Sequence, residues 1–465
     1  MYKISKKEKC IIDNKIIDEK NLKFNIIDSP MGTGKSTAII NYLKKATRFT
    51  NDTNERFIVF VPTTTEKERF IEETGAKTPK KTPFRESVLE LIKNGENIVT
   101  THALYDLFGE EFEMVLKEAD YQYTAIFDET PSFFKNIVGA SRLKKDDQSV
   151  IRWGNADVRL MQKENIIKLQ DGKVEYNLDS EYEHYDSNNK AFHDIKKMTE
   201  QCDLYPHGHD KDGYFTSIIA FAKRSLFECF HEVWFCTYLS CGNMIDVYCH
   251  VNHIDMVYYH VENDKIVKNT NGEYKLYFPQ GLERLEMLDD SYGMKESLSK
   301  EYFRKNTKAG KNIGIDFLKG RCRKAYEYMK GYGIKANTFI YTTFKEYSNV
   351  LKQRKVPNRF IPCNTKATND YSSCIGVGYA CNRFFDVSCT HFLSNLASQR
   401  QDERIKLNND IYALSELIQF IWRSNIRVKD SNKKIYVWIP DKRMKGLLID
   451  FIKGAVEVKT SVLHN

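Results

Sequence analysis

The sequence predicts an α/β protein with two tandem units, each a mostly parallel sheet covered by helices. Short apolar runs alternate with helical patterns near the N-terminus, and the same alternation resumes further along the chain. A chain of 465 residues is also too long for one hydrophobic core. We therefore expect a first domain over residues 1–245, with an irregular insertion at about 130–223, and a second domain over residues 246–465.

The first sheet is predicted from apolar strands that are separated by helical patterns. The candidate strands are "FNIID" (24–28), "FIVFV" (57–61), "NIVT" (97–100), "YTAIFDE" (123–129) and "EVWFC" (232–236), the last preceded by a predicted helix over 217–230. Continuous apolar strands between helices indicate a parallel sheet covered on both faces. Nucleotide sites in such sheets lie at the carboxyl ends of the strands.

The second sheet is predicted from a later set of apolar runs. These are "DMVYYHV" (255–261), "NTFIYT" (337–342), "RFIPC" (359–363) and "KIYVWI" (434–439), with helices near 315–330 and 410–424. The insertion between the two sets is polar, and its "HGHDKD" (207–212) contains metal-ligand types. A hydrated loop explains that run better, because nothing in the sequence fixes a ligand geometry.

Composition narrows the class of protein. The apolar fraction of 41% is that of a folded chain, and the net charge of +8 suits either a polyanion partner or an ordinary solvated surface. The sequence has no membrane-length apolar stretch and no signal-peptide core, so we expect a cytoplasmic protein without a membrane partner. The cluster Cys229, Cys236, Cys241 and Cys249 lacks paired zinc-site spacing, and we expect it to be metal-free.

The stretch "NIIDSPMGTGKSTAII" (25–40) predicts a phosphate-binding loop between a strand and a helix. It matches G-x-x-x-x-G-K-[ST] except that Ser29 stands at the first glycine position. Lys35 would reach the β- and γ-phosphates of a nucleotide, and the Ser36 hydroxyl would coordinate Mg²⁺. The alternative is a glycine turn with a solvated lysine. The predicted nucleotide contacts are Ser29, Met31, Gly32, Thr33, Gly34, Lys35, Ser36 and Thr37.

Two further groups complete the predicted site. Asp128 and Glu129 end an apolar strand, where one carboxylate can hold the water shell of Mg²⁺ and the other can polarise the attacking water. Gln419, Arg423 and Arg427 recur at i, i+4 and i+8, which predicts one face of one helix. Guanidinium groups there would stabilise charge that develops during hydrolysis, although a solvated basic helix edge is the alternative.

At this point the chain resembles the superfamily 2 helicases, the group of DEAD and DEAH box proteins. The resemblance rests on eight segments in the family's order: "SPMGTGKST", "FVPTTT", "VTTHAL", "IFDETP", "FCTYLS", "FIYTTF", "TKATNDYSS" and "QFIWRSNIR". The first, fourth and last segments are specific to the family, and the other five are weak matches. The C-terminal run from "ATNDY" to "IYVWIPDKRM" is similar to a branch that bacteriophages and plasmids carry.

The resemblance implies two RecA-like domains that bind and hydrolyse Mg-ATP between them. It implies that the phosphate loop, Asp128 and Glu129 act from the first domain, and Arg423 and Arg427 from the second. By the family's spacing from Gln419, Arg427 is the displaced equivalent of the second arginine, and we expect it to be the arginine finger. The resemblance also implies a path for a single strand along Pro62, Thr63, Thr64, Thr101, His102, Thr342, Thr343, Thr368 and Asn369.

The favoured function is therefore an ATP-dependent helicase or translocase that acts on single-stranded nucleic acid, with DNA favoured over RNA, in phage-type replication or recombination. Replication or recombination proteins are its candidate partners. The alternative is a nucleic-acid-stimulated ATPase that remodels or loads a protein partner without unwinding, with the insertion as its docking surface. A small-molecule kinase fits poorly, because it leaves the second domain and its arginines unexplained.

Overall fold

The computed structural model describes residues 22–46, 49, 53–105, 109–139, 153–180, 190–307, 313–363 and 370–463. The predicted strand contacts Thr368 and Asn369 lie outside these residues. Within the described ranges the strands are β1 (Lys23–Asp28), β2 (Glu55–Val61), β3 (Ile98–Thr101), β4 (Gln122–Phe127), β5 (Phe134–Asn136), β6 (Val138–Gly139), β7 (Trp153–Gly154), β8 (Ile167–Gln170), β9 (Lys173–Tyr176), β10 (Cys202–His209), β11 (Phe215–Ala222), β12 (Glu232–Thr237), β13 (Asp255–Glu262), β14 (Lys265–Lys268), β15 (Leu285–Met287), β16 (Phe339–Thr342), β17 (Gly376–Tyr379) and β18 (Ile435–Trp438).

The helices of the same ranges alternate with the strands at both ends of the chain. They are α1 (Lys35–Lys45), α2 (Thr64–Thr74), α3 (Phe84–Lys93), α4 (Glu110–Glu118), α5 (Asn155–Lys163), α6 (Lys190–Gln201), α7 (Ser225–Glu228), α8 (Met244–Val251), α9 (Lys300–Asn306), α10 (Ile313–Lys330), α11 (Val387–Arg400), α12 (Asn409–Ile421) and α13 (Lys442–Leu463). None of these helices is both long and apolar enough to cross a membrane in the part of the chain that is described.

The predicted fold class is confirmed: two mostly parallel sheets are flanked by helices. The first is seven-stranded in the order β14-β13-β1-β12-β4-β2-β3, with only the β13–β14 pair antiparallel. The second is four-stranded and parallel, in the order β15-β18-β17-β16. In the first sheet β1 is a central strand, and the carboxyl ends of β1, β4 and β12 meet at one edge, where the phosphate loop lies.

The strand at 255–261 does not open the second unit as the sequence pattern suggests. It is part of β13, which pairs with β1 from Lys23↔Asp255 to Ile27↔Tyr259, and β14 adds an antiparallel hairpin outside it. The chain therefore leaves the first sheet after Lys268, later than the predicted boundary at 245/246. An apolar strand carries no mark of the sheet that it joins, so the pattern could not make this distinction.

The insertion is regular rather than irregular in its described parts. It contains an antiparallel three-stranded sheet, β10-β11-β5, and a β8–β9 hairpin, with α5 and α6 packed on them around a small core of their own. The helix predicted over 217–230 is wrong: most of its first half is the strand β11, and only Ser225–Glu228 is helical. A short fully apolar run fits a buried strand as well as a buried helix.

The second sheet also departs from prediction, because two of its strands, β15 and β17, are not among the predicted runs. The run at 359–363 contributes an isolated bridge, Tyr341↔Phe360. One of the two central strands is instead β17, "GVGY", which the pattern does not reveal. A Cβ on Gly378 would lie 3.0 Å from Tyr341 Cβ and 3.1 Å from a Trp438 ring carbon. The glycines of β17 therefore let large neighbours pack over it, and they remove the strand signal at the same time.

Candidate nucleotide site

The loop between β1 and α1 has the backbone shape that phosphate binding requires. Gly32 and Gly34 have positive φ angles of 81° and 85°. At Gly34 a Cβ would also lie 2.7 Å from a carboxylate oxygen of Asp264, so that this exposed side chain would have to move aside. The loop therefore needs glycine at both positions, and it leads directly into the N-terminus of α1, where backbone N–H groups favour an anion.

Ser29 explains the one departure from the phosphate-loop pattern. It is 1% exposed and does not have a positive φ, so its position does not require glycine. Its hydroxyl accepts a hydrogen bond from the backbone N–H of Val261 (2.8 Å), and its own N–H donates to the Thr237 carbonyl (3.1 Å). Ser29 thus ties the start of the loop to β13 and β12, the strands on either side of β1.

Lys35 lies across the loop that precedes it. Its Nζ donates to the carbonyl oxygens of Ser29 (2.6 Å) and Pro30 (3.1 Å), and the Thr33 hydroxyl also donates to Pro30 O (2.8 Å). Burial lowers the pKa of Lys35, and nearby acidic groups, Asp28 among them, oppose that shift. The ammonium is therefore held at the loop by weak acceptors, which an anionic ligand could replace.

The predicted magnesium ligands lie together. The Ser36 hydroxyl donates to Asp128 Oδ2 at 2.8 Å, although the two residues are 92 positions apart. Asp128 is 5% exposed, and burial raises the pKa of its carboxyl to about 6 despite the bond from Ser36. A hydroxyl and a carboxylate are the hard oxygen ligands that suit Mg²⁺. Glu129 follows with a φ of 103°, a strained backbone conformation for a residue other than glycine.

A second buried carboxylate, which the sequence did not single out, lies at the end of β1. Asp28 accepts hydrogen bonds from the backbone N–H groups of Leu239 (3.2 Å) and Ser240 (2.8 Å), and also from the Ser240 hydroxyl. Burial raises the pKa of the Asp28 carboxyl, and the bonds from Ser240 oppose that rise. Asp28 therefore fastens the segment after β12 to the strand that leads into the phosphate loop.

Arg69 is another group near the loop that sequence reasoning missed. From α2 its Nη2 donates to the Thr37 hydroxyl (2.8 Å), and its Nη1 donates to Glu66 Oε2 (3.2 Å). This contact explains the placement of Thr37, which closes the first turn of α1 against α2. A lone arginine in an exposed helix pattern gives no signal of this role.

The three residues of the predicted arginine helix are arranged differently from the prediction. Helix α12 ends at Ile421, so Arg423 follows it in a turn and Arg427 closes a 3₁₀ helix over Asn425–Arg427. Gln419 is exposed on α12, Arg423 is buried, and Arg427 is half-buried. The prediction that all three share one helix face is wrong. The cause is the Ser424 side chain, which accepts from Ile426 N and starts a new turn.

The part of the chain that carries Arg423 and Arg427 nevertheless faces the first sheet. A Cβ on Gly32 would lie 3.9 Å from Arg427 Cβ and 4.0 Å from the Arg427 carbonyl oxygen. Met31 packs against the core of the second sheet from the same loop. Arg423 Nη1 donates to Cys363 O (3.2 Å), and its charge interacts with that of Glu129. The structure thus brings Arg427 to the phosphate loop and Arg423 towards the strand end that bears Glu129.

The predicted strand contacts divide into two groups. The first group lies at the carboxyl ends of β2 and β3 and consists of Pro62, Thr63, Thr64, Thr101 and His102. Thr63 caps α2 by accepting a hydrogen bond from Glu66 N (3.2 Å), and His102 N donates to Val61 O (3.1 Å).

The other two described contacts are not at the surface. Thr342 and Thr343 are fully buried at the end of β16, where the Thr342 carbonyl also accepts from Ala380 N (2.9 Å). The prediction that these two side chains line a surface path is therefore not met in the structure. A threonine pattern cannot distinguish a buried strand end from an exposed one.

Other metal-ligating residues are dispersed. No group of three or more His, Cys, Asp or Glu side chains with the geometry of a metal site occurs among the residues that are described. Cys236 and Cys249 are buried and Cys241 is exposed. The metal-free state of this cysteine cluster stays a prediction.

Two sequence comparisons found similarity to known proteins, one over the second sheet and one over most of the chain. Residues 283–452 match the family model of the YonV C-terminal Rossmann-like domain. The chain is 27% identical over 459 residues to the SPbeta prophage-derived uncharacterized protein YonV of Bacillus subtilis (strain 168), covering 93% of this chain and 99% of that protein. Both sheets therefore lie within the region of similarity.

Two solved structures are remotely similar to this chain. S. tokodaii Xpd4 has 11% sequence identity and a TM-score of 0.44, with 92% of this chain and 94% of that chain covered. A structure described as XPD helicase has 13% identity and a TM-score of 0.43, with 94% and 95% covered.

Proposed function

We propose that the chain is an ATP-dependent nucleic-acid helicase or translocase of the superfamily 2 type, with DNA as the favoured substrate. The observation that carries the proposal is the approach of Arg427 to Gly32. A glycine-rich loop that binds phosphate needs no partner domain for binding alone. An arginine brought to it from a second sheet is the arrangement through which closure of a cleft can be coupled to hydrolysis.

Each described group has a part in the proposed reaction. The loop N–H groups and Lys35 would bind the phosphates, and Ser36 with Asp128 would hold Mg²⁺. When bound, the metal would neutralise charge on the phosphate oxygens. Glu129 would orient and deprotonate the attacking water, and Arg427 would stabilise the charge that develops on the transferred group.

The strand-binding part of the proposal rests on the carboxyl ends of β2 and β3. Hydroxyl and N–H groups at Thr63, Thr64, Thr101 and His102 can contact phosphates without regard to sequence. If the cleft between the sheets closes on ATP and opens after hydrolysis, contacts on the two units move relative to each other. Repeated cycles would then step the protein along a strand. The prophage origin of the similar Bacillus subtilis protein supports a role in phage-type replication or recombination.

One observation favours the alternative of a remodelling ATPase without unwinding. The insertion has its own core and carries three exposed leucines, Leu160, Leu169 and Leu178, which could contact a protein partner. In the helicase the insertion would instead lie beside the point of strand separation.

The ATPase rate measured alone, with single-stranded DNA and with single-stranded RNA tests the proposal. We expect a low basal rate that DNA stimulates more than RNA. Displacement of a labelled strand from a tailed duplex then separates the two candidates, because only the helicase displaces it. A rate that neither nucleic acid changes would contradict both.

A further inference from the structure

A buried arginine in the second unit has an unusual set of partners. Arg284 lies at the end of a 3₁₀ helix over Leu282–Arg284, directly before β15, and is 8% exposed. Its Nε donates to Lys433 O (2.9 Å), its Nη1 to Ile426 O and Val428 O (3.2 Å each), and its Nη2 to Asn425 O and Asn425 Oδ1 (2.9 Å each). None of these partners is a carboxylate.

All of these acceptors belong to one segment of the chain, residues 425–433, which we call the arginine segment because it contains Arg427. The guanidinium has five N–H donors in a fixed plane, and it makes five hydrogen bonds to this segment. The partners are at least 141 positions away in the sequence. Arg284 is therefore a long-range anchor for the segment and makes no ion pair through these bonds.

Other contacts also hold the start of the same segment. Asn425 donates through its N–H to Cys374 O and through Nδ2 to Ser372 O, both at 2.8 Å. A Cβ on Gly281 would lie 3.1 Å from Ile426 Cγ1, so the turn before Arg284 packs closely against the segment. These contacts hold Asn425 and Ile426, and Arg284 adds bonds on both sides of Arg427, to Ile426 O and Val428 O.

We propose that Arg284 is a positioning residue that holds the arginine segment so that Arg427 meets the phosphate loop. The inference rests on the proposed function, because it assigns Arg284 a part in ATP hydrolysis. That part is indirect, since Arg284 acts through the arginine segment. A displacement of about 1 Å in a catalytic group can cost on the order of a hundredfold in rate. An arginine on a short 3₁₀ turn needs such support, because the turn has few hydrogen bonds of its own.

Lysine cannot replace Arg284 in this role. An ammonium group donates three hydrogen bonds from one point, whereas the carbonyl oxygens around Arg284 match the planar fork of a guanidinium. Arg284→Lys keeps the charge and most of the volume, and it removes the geometry. The variant therefore tests positioning and leaves the net charge of the protein unchanged.

Arg56 provides a matched control. It is also a buried arginine that donates to backbone carbonyls, those of Gly95, Thr53 (2.9 Å) and Glu55 (2.7 Å), but it lies at the start of β2, away from the site. Arg56→Lys should cost stability for the same chemical reason. It should leave the turnover of folded protein within about twofold of the wild type.

The experiment is a double-mutant cycle on the full chain with Arg284→Lys, Arg427→Ala and the two combined, measured as kcat and KM for ATP with single-stranded DNA present. We expect Arg284→Lys to lower kcat about 10- to 100-fold with little change in KM. The double variant should be no slower than Arg427→Ala alone, because a positioning residue has no effect once the group it positions is absent.

Hydrogen exchange over residues 422–434 supplies a readout that does not depend on activity. Arg284→Lys should speed exchange there, while Arg56→Lys should not. Normal exchange and kcat in Arg284→Lys, or losses that multiply in the double variant, would overturn the proposal. A wild type that never hydrolyses ATP would instead overturn the proposed function and the kinetic role together, and the exchange would still show whether Arg284 anchors the segment.

Discussion

The phosphate loop and the arginine segment face each other across the candidate site, and they obtain their shapes from different parts of the sequence. In the loop, two glycines, Lys35 and the start of α1 are neighbours in the chain, and Lys35 bonds to carbonyls only five and six positions away. In the arginine segment the anchoring bonds come from Arg284, 141 to 149 positions away. A local motif can therefore be recognised from sequence, whereas a segment that is shaped by distant residues cannot.

Removal of the lysine from the phosphate loop should have the largest effect on ATP turnover. Lys35→Ala should abolish measurable ATP turnover and weaken ATP binding, because the ammonium compensates phosphate charge already in the bound ground state. Lys44→Ala is the control, since Lys44 is exposed on the same helix and paired with Glu73. Binding of a fluorescent ATP analogue and the ATPase rate measure the two effects. Wild-type turnover in Lys35→Ala would contradict the phosphate-loop assignment.

Glu129→Gln should separate ATP binding from ATP hydrolysis on the side of the site that the first sheet forms. We expect ATP binding to stay near the wild-type level and hydrolysis to fall about 10²- to 10⁴-fold, the range for loss of a general base. Glutamine keeps the size of the side chain and the backbone at Glu129, but it cannot accept the proton of the attacking water. Single-turnover hydrolysis after nucleotide binding measures the loss. Unchanged hydrolysis would exclude Glu129 as the base.

Substitution of the arginines should change the rate of ATP hydrolysis and leave the affinity for ATP almost unchanged. Arg427→Ala is expected to slow hydrolysis on the order of a thousandfold with little change in ATP affinity, because a finger acts on charge that appears in the transition state. Arg423→Ala is the matched comparison, since Arg423 bonds to Cys363 O within its own unit. If Arg423→Ala abolishes hydrolysis and Arg427→Ala does not, the roles are reversed. If neither variant slows it, the site does not span both units.

These two sides also show how much the sequence could predict. The phosphate loop and most of the alternation of strands and helices follow local rules, and the structure has them in the predicted places. Asp128 lies beside Ser36, 92 positions away, because the parallel strands that precede these residues end at the same edge of one sheet. The predicted face of Gln419, Arg423 and Arg427 fails because α12 ends at Ile421 and Ser424 caps the 3₁₀ turn that follows it. Arg284 and Asp28 give no sequence signal, because their partners lie far along the chain.

The errors in the fold have the same origin. The sequence pattern shows that 255–261 is a strand. It does not show that this strand pairs with β1, because that pairing depends on residues far away in the chain. In β17, Gly376 makes room for Ile334 and Phe339, and Gly378 makes room for Tyr341 and Trp438. A strand of which every second residue is glycine has no continuous apolar run. Element type was predictable where one segment decides it, and sheet membership was not.

The smallest expected effect concerns the residue that departs from the phosphate-loop pattern. Ser29→Gly restores the usual first glycine, but it removes the hydroxyl that accepts from Val261 N at a buried site. Leaving a buried donor unpaired costs about 1–3 kcal/mol, so we expect a lower thermal midpoint and an ATP affinity within about threefold of the wild type. Ser29→Ala separates the lost hydroxyl from the added flexibility of glycine, and it should account for most of the destabilisation. An ATP affinity that rises tenfold or more in Ser29→Gly would show that the serine constrains the loop against nucleotide binding, and that the tie between β1 and β13 is not the reason for its presence.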